Sequence, residues 1–474
     1  MPKIFIAVAL SATAFYVGTG LHPHWWMTWV AAVPVLLFAY HASRRAAFLA
    51  AFTAYFVGIL NLWTYFTVLE IPIPVRILAF VVSSLVFATG VLLSRTFFLR
   101  GRRLCAMLAL PVAWTAFEFA MSFGRNGTAL DIAYSQMDCL PLLQLASITG
   151  IWGISFFLFF FSSAIAQLIY SRRFLGDLLV PFVIAIVILG FGLWRLYTAP
   201  TGRTVTIGLA ATDQRPLLGD ENKAAGITDT YVKVVEQLVR GNAAIIVIPE
   251  KIMTVADYRS SRLFAAMRDA ATQHSVLIVA GLDQTGTPLK HNLAFAVSSS
   301  HEDIYEKHHM VVGWEDGYEI GRSTLMLPAP NQSFGVTICK DMDFPRLSRT
   351  YGQLGAELML VPAWDFEIDD WLHSRMAVMR SVESGFAMAR SAKQGFMTIN
   401  DNRGRVLAQA RSDASGSAHV LGSVNLSPAK TIYVRLGDWF AWLNLVALVA
   451  LLFSLAIHPV RISQTQASDF GSSK

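Results

Sequence analysis

The chain has 474 residues, of which 54% are hydrophobic and 15% charged, and its mean hydropathy of +0.48 excludes a wholly water-soluble protein. The formal charge of +6 is not a nucleic-acid signal, because the basic residues stand in short clusters between apolar runs, where they report membrane topology. Three cysteines are too few for a disulfide framework, and a Cys139–Cys339 pair is not expected.

Apolar runs over 4–20, 27–40, 46–68, 77–93, 104–121, 148–169, 178–197 and Trp439–Ile457 predict about eight helical spans. The first run has no clear small-residue cleavage site and more spans follow it, so it reads as an anchor and not as a removed signal. Arg44 and Arg45, then Arg95, Arg100, Arg102 and Arg103, then Arg172 and Arg173 fall in alternate connections, with Lys3 and Arg461 at the ends. By the positive-inside rule both termini are then cytoplasmic, and the segment between the last two spans lies outside, on the periplasmic face of a bacterium. Trp25, Trp26, Trp439 and Trp442 suit an interfacial belt. Glu118 falls near the outer end of its run and is expected to snorkel to the interface.

The composition changes over 201–431. Strand-like runs at 204–211, 243–250, 275–283, 292–298, 334–341, 357–364, 396–401 and 405–410 alternate with helical patterns at 227–241, 258–275 and 373–385. Alternating layers of this length define one α/β domain. The expected organisation is a transmembrane region at 1–200, the α/β domain at 201–431, a last span within 432–462 and a polar cytoplasmic tail at 463–474.

Three strand ends of that domain finish on reactive side chains. One ends on Glu250, one presents Lys307, and the run before the turn at 339–345 ends on Cys339. Side chains at the carboxyl ends of strands meet on one rim of an α/β domain. A cysteine, a carboxylate and a lysine together suit acyl transfer: Glu250 as general base, Cys339 as nucleophile and Lys307 as oxyanion donor. Lys340 and the start of the following helix would favour the thiolate. An ordinary buried cysteine is the alternative reading of Cys339 taken alone. His308 and His309 lack a second ligand cluster, so no metal is expected.

Pro249 and Glu250, the Tyr-x-Lys-x-His of residues 305–309 and the Cys-x-Asp-x-x-Phe-Pro of residues 339–345 resemble motifs of the nitrilase superfamily. That resemblance implies an α-β-β-α sandwich with a Glu-Lys-Cys triad. Residues 133–157 contain a Tyr-Ser-Gln followed by Gly-x-x-Gly-x-Ser-Phe. Together with residues 431–443, they resemble bacterial apolipoprotein N-acyltransferases over nearly the whole chain. The implied reaction moves an acyl chain from a phospholipid, through a thioester on Cys339, to the α-amine of a diacylglyceryl-cysteine lipoprotein, without a cofactor. Glu315 falls where the family has a further glutamate beside the triad, and Tyr134, Gln136, Arg435 and Asp438 match motifs read as domain-to-membrane contacts.

The chain departs from the family pattern at Lys251, at residues 310–314, at Lys340 and Asp341, and at residues 362–366. These departures make Trp314, Lys340, Asp341 and Trp364 the substrate-binding candidates. They leave open an amidase, an acyltransferase for another amine, and a non-catalytic membrane module.

Overall fold

The computed structural model describes residues 2–171, 175–198, 202–286, 288–329, 332–412, 416–427 and 430–457. Arg172, Arg173, Arg461, the 463–474 tail and the expected border at residue 201 lie outside the described residues.

Among the described residues, six helices are long and apolar enough to cross a membrane: Arg44–Val68, Ile73–Leu99, Arg103–Met121, Trp152–Tyr170, Val180–Tyr197 and Trp439–Ile457. Two of the eight expected runs fall short of that length. Pro2–Gly18 has 17 residues, and the run at 27–40 is helical only over Val33–His41, nine residues. At ~1.5 Å per residue that covers roughly 14 Å, against a hydrocarbon core of roughly 30 Å. Pro34 explains the late start, since proline lacks an N–H and is tolerated in a first helical turn but not inside the helix. The run at 148–169 is broken between helix Ala146–Thr149 and helix Trp152–Ser171. Gly150, at φ +66, turns the chain where an added Cβ would stand 2.6 Å from the Tyr433 ring.

The two ends of the bundle differ. At one end Arg95 donates to the carbonyls of Ala39 and Ala42 at 2.9 and 2.7 Å, and Arg102 to Ser454 at 3.1 Å. The other end carries the α/β domain. Glu118 does not snorkel: it is 4% exposed and its Oε1 accepts from the Ile132 N–H at 2.8 Å.

Among the described residues the domain has thirteen strands: β1 Arg203–Ala211, β2 Ile245–Val247, β3 Thr254–Val255, β4 Leu277–Gln284, β5 His291–Val297, β6 Glu302–Glu306, β7 Leu325–Ala329, β8 Gln332–Val336, β9 Leu358–Trp364, β10 Ala387–Lys393, β11 Phe396–Asn400, β12 Val406–Arg411 and β13 Ala418–Leu426. One sheet has the order β13-β1-β2-β4-β5-β6, with β3 beside β4, and the other β12-β11-β10-β9-β8-β7. Parallel neighbours (β1 with β2, β2 with β4, β8 with β9, β9 with β10) form the centre of each sheet.

Side chains of both sheets, among them Ile207, Val247, Val279, Val336, Leu360 and Ala389, bury one common core between them. Helices Glu221–Arg240 and Arg262–His274 cover the outer face of the first sheet, while Pro345–Gln353 and Asp370–Ser384 cover the second. The result is an α-β-β-α sandwich. Helix Asp370–Ser384 differs from the other cover helices because its far side joins the bundle core through Leu372, Met376, Val378, Met379 and Val382. It is the layer on which domain and bundle meet.

Candidate active site

β2 stops at Val247, and Ile248 and Pro249 deliver Glu250, whose N–H donates to the Ala363 carbonyl of the other sheet at 3.2 Å. Gly281 on β4 lets that turn approach, since a Cβ there would lie 2.5 Å from the Glu250 Cα. Lys307 follows β6 directly, and its N–H donates to the Asn292 carbonyl at 3.0 Å. Cys339 stands three residues past β8 in the left-handed region at φ +42, a conformation costly to a residue with a Cβ and one that turns its side chain out of the strand path. One sheet thus supplies Glu250 and Lys307 and the other supplies Cys339.

Lys307, 1% exposed, donates to Glu250 Oε1 and to Glu315 Oε2, each at 2.8 Å. Asn292 bridges the same two carboxylates, reaching Glu250 Oε1 at 2.6 Å and Glu315 Oε1 at 2.7 Å. Glu315 also accepts from the Val311 N–H at 2.8 Å, and its Oε1 lies 2.6 Å from Lys251 Nζ. The Cys339 thiol donates to the Trp364 carbonyl at 3.4 Å.

Burial works against the Lys307 charge, but Glu250 and Glu315 outweigh it and hold the ammonium well above the ordinary lysine range. Burial would likewise raise Glu315, but Lys307 and Lys251 bring it down to about 2. For Cys339, burial and then Glu250 push the thiol well above its ordinary value, against opposing pulls from Lys307 and Arg390. The expectation that Lys340 favours the thiolate is corrected: its Nζ turns to Asn126 Oδ1 at 3.2 Å and Asp343 Oδ2 at 3.8 Å. The following helix, Pro345–Gln353, starts six residues beyond the cysteine. A thiol kept protonated at rest needs a base at the moment of attack.

The other candidates are spread around this centre. Asp341 is fully buried. It accepts from Tyr305 OH at 2.8 Å and the Ile338 N–H at 3.1 Å on one oxygen, and from the His309 N–H at 2.9 Å on the other. It ties the Cys339 turn to the Lys307 turn and presents no oxygen to a cavity. Trp314 is half exposed, with its ring edge on Phe366 at 5.3 Å and its Nε1 3.5 Å from the Leu69 carbonyl of the bundle. Trp364 lies beneath Lys393, whose Nζ is 3.6 Å from the ring centroid. Tyr134 and Asp438 do join bundle to domain. Gln136 does not: its partners Trp25, Thr28, Trp29 and Ser135 all belong to the bundle. From Arg435, the carbonyl accepts from Arg349 at 3.3 Å.

Asn292, Lys393 and the ion cluster around Asp365 escaped the sequence reading as site groups, and Lys251 was noted there only as a departure from the family pattern. Asn292 left one signal, a lone amide in an otherwise apolar strand. In the cluster Arg390 pairs with Asp365, and His373 lies 3.5 Å from Asp365 and 3.4 Å from Asp369. Burial opposes the His373 charge, but Asp369 and Asp365 raise its pKa to about 9. A folded value above the unfolded one of roughly 6.5 stabilises the fold below that pH and loses the contribution as pH rises through about 9. His373→Gln should therefore remove part of the fall in thermal midpoint between these two values, measured in detergent against the unmodified chain.

A cavity of about 540 Å³ opens beside these turns, between residues 122–125 of the bundle and His308, His309, Phe344 and Arg346 of the domain. Glu250, Lys307 and Cys339 are not among its lining residues.

The fold and the site together define a carbon–nitrogen hydrolase domain carried on a membrane helical bundle. The family description Carbon-nitrogen hydrolase matches residues 209–435, and Apolipoprotein N-acyltransferase N-terminal domain matches residues 9–165. The chain is similar to apolipoprotein N-acyltransferases over most of its length. It is 24% identical to the apolipoprotein N-acyltransferase of Geobacter metallireducens over 88% of this chain and 88% of the relative. With that of Thermotoga maritima it is also 24% identical, over 73% and 70%. Among solved structures, Saccharomyces cerevisiae Nit3, a member of branch 10 of the nitrilase superfamily, superposes with a TM-score of 0.41 at 16% identity, over 50% of this chain and 94% of its own.

Proposed function

We propose that the chain is an integral membrane N-acyltransferase that moves a fatty acyl group from a phospholipid, through a thioester on Cys339, to the α-amine of a diacylglyceryl-cysteine lipoprotein. The observation that carries this reading is the buried cluster in which Lys307 donates to both Glu250 and Glu315 at 2.8 Å, with the protonated Cys339 thiol within its electrostatic reach. Glu250 takes the thiol proton as sulfur attacks the ester carbonyl, and Lys307 donates to the oxygen on which charge develops. The tetrahedral adduct collapses to the thioester, and the lysophospholipid alkoxide leaves with the proton from Glu250. In the second half the lipoprotein amine attacks the thioester, loses its proton to Glu250, and the thiol re-forms. One site serving two half-reactions implies ping-pong kinetics.

The arginine-rich end of the bundle lies opposite the domain, which supports a catalytic domain on the periplasmic side of a bacterial inner membrane and both termini in the cytoplasm. Anchoring to the bilayer replaces a search through water for two insoluble substrates with a lateral one. The test is intact-protein mass spectrometry of the purified chain after incubation with a phospholipid, beside Cys339→Ala. A fatty-acyl adduct confined to the unmodified chain and discharged by a diacylglyceryl-cysteine peptide is the expected result. An adduct that ignores the peptide would overturn the acceptor, and the absence of any adduct would overturn the acyl-enzyme.

A further inference from the structure

Lys251 follows Glu250 directly and adopts left-handed backbone, φ +47, with 5% of its surface exposed. Its Nζ lies 2.6 Å from Glu315 Oε1 and 4.0 Å from the centroid of the Tyr318 ring. Its carbonyl accepts from Lys393 Nζ at 2.8 Å. A long cationic side chain is costly to bury, and here it is held at both ends without a task in the acyl-transfer steps above.

We propose that Lys251 is a positioning residue of the acyl-transfer site: its ammonium binds one oxygen of Glu315, leaves the other on Lys307, and keeps the two buried carboxylates matched by two cations. The inference rests on the reading of Cys339 as nucleophile. Lys307 alone would face Glu250 and Glu315 with a surplus negative charge between them. That surplus would draw Lys307 toward Glu315, away from the base and the acyl oxygen, and would oppose formation of a thiolate in the same desolvated space.

The surrounding charges do not replace Lys251. Arg390, which also acts on Cys339, is paired with Asp365. Tyr318 donates to Asp283 at 2.8 Å, and Asp283 is paired with Arg215. Lys393 faces Glu250 and Lys251, but burial and then Arg215 push it well below the ordinary lysine range, and its Nζ is engaged by the Lys251 carbonyl at 2.8 Å and the Trp364 ring.

The test uses the full-length protein in detergent and follows alkylation of Cys339 by iodoacetamide across pH, read by peptide mass spectrometry. Lys251→Met should move the midpoint of the alkylation profile up by about one pH unit or more, the usual effect of one uncompensated neighbouring charge. Lys251→Arg should leave it close to the original. Lys251→Met combined with Glu315→Gln removes one charge of each sign and should bring the midpoint back. A structural role would instead make the double variant worse than either change alone.

An unmoved midpoint in Lys251→Met, or a double variant displaced further upward, would overturn the proposal. Where Lys251→Met fails to fold, the double variant decides, since a midpoint close to the original supports the charge balance and a large displacement refutes it. Alkylation needs no acyl donor, so failure of a phospholipid to acylate the chain is a separate outcome.

Discussion

Lys307→Met should slow acylation of Cys339 at least a thousandfold, roughly the upper range for loss of one oxyanion donor. The substitution does more than remove a donor. It leaves Glu250 and Glu315, both almost fully buried and both accepting from the same Asn292 amide, with Lys251 as the remaining ammonium bonded to either. Buried carboxylates placed so close hold a proton between them, which takes away the base as well as the donor. Lys307→Arg should not restore the rate, because a planar guanidinium cannot occupy the point where one ammonium meets two carboxylates. The measurement is the rate at which an acyl adduct forms on Cys339 by intact mass. A loss of less than about tenfold would reduce Lys307 to a structural ion-pair partner.

Two of the site groups legible in the sequence share one physical property. Glu250 and Cys339 each end an apolar, β-branched run, where a reactive side chain stands out because the strand before it must be buried. Lys307 instead follows the polar, half-exposed Glu302–Glu306 and was legible through the Tyr-x-Lys-x-His motif. Groups inside strands give no such contrast. Lys393 and Arg390 lie on β10, where all seven residues are buried, and their polar heads break the alternation that identifies a strand. That strand was accordingly not expected, nor were β3, β7 and β13.

The membrane region shows the opposite error. Hydropathy found the apolar runs but could not tell that Pro34 delays one helix and Gly150 breaks another run in two, because composition carries no record of where the backbone must turn. Helix Asp370–Ser384 was legible as a helix and not as a junction. Its bundle-facing side chains look like those of any half-buried cover helix until the bundle is placed against them.

That junction is the basis of the second large effect. Arg380 is fully buried on helix Asp370–Ser384. Its Nη1 lies 3.0 Å from Glu383 Oε2, and its Nη2 donates to the Tyr134 hydroxyl of the bundle at 2.9 Å. Glu383 in turn accepts from the Ile151 N–H at 2.7 Å, so the pair is bonded to the bundle from both members. Burial pushes the Glu383 carboxyl up to about 7, with Arg380 as the chief opposing charge.

Arg380→Met removes that charge and strands the carboxylate, a change that costs about 3–5 kcal/mol in buried pairs. The thermal midpoint in detergent should fall by at least about 5 °C. Lowering the pH from above 7 toward the ordinary carboxylate range should return part of the loss, since Arg380 holds the Glu383 carboxyl down at about 7 and without it the folded chain takes up the proton at a higher pH than the unfolded chain does. Arg380→Met with Glu383→Leu should recover more, because the double variant leaves no charge to bury and apolar replacements of buried pairs are often neutral. An unchanged midpoint in the single variant would mean that the pair contributes nothing to holding the domain on its helices. The proposed thioester site would then owe its place beside the bundle to apolar contacts such as those of Leu372, Met376 and Met379 and to other polar links such as Arg346 to Asp438.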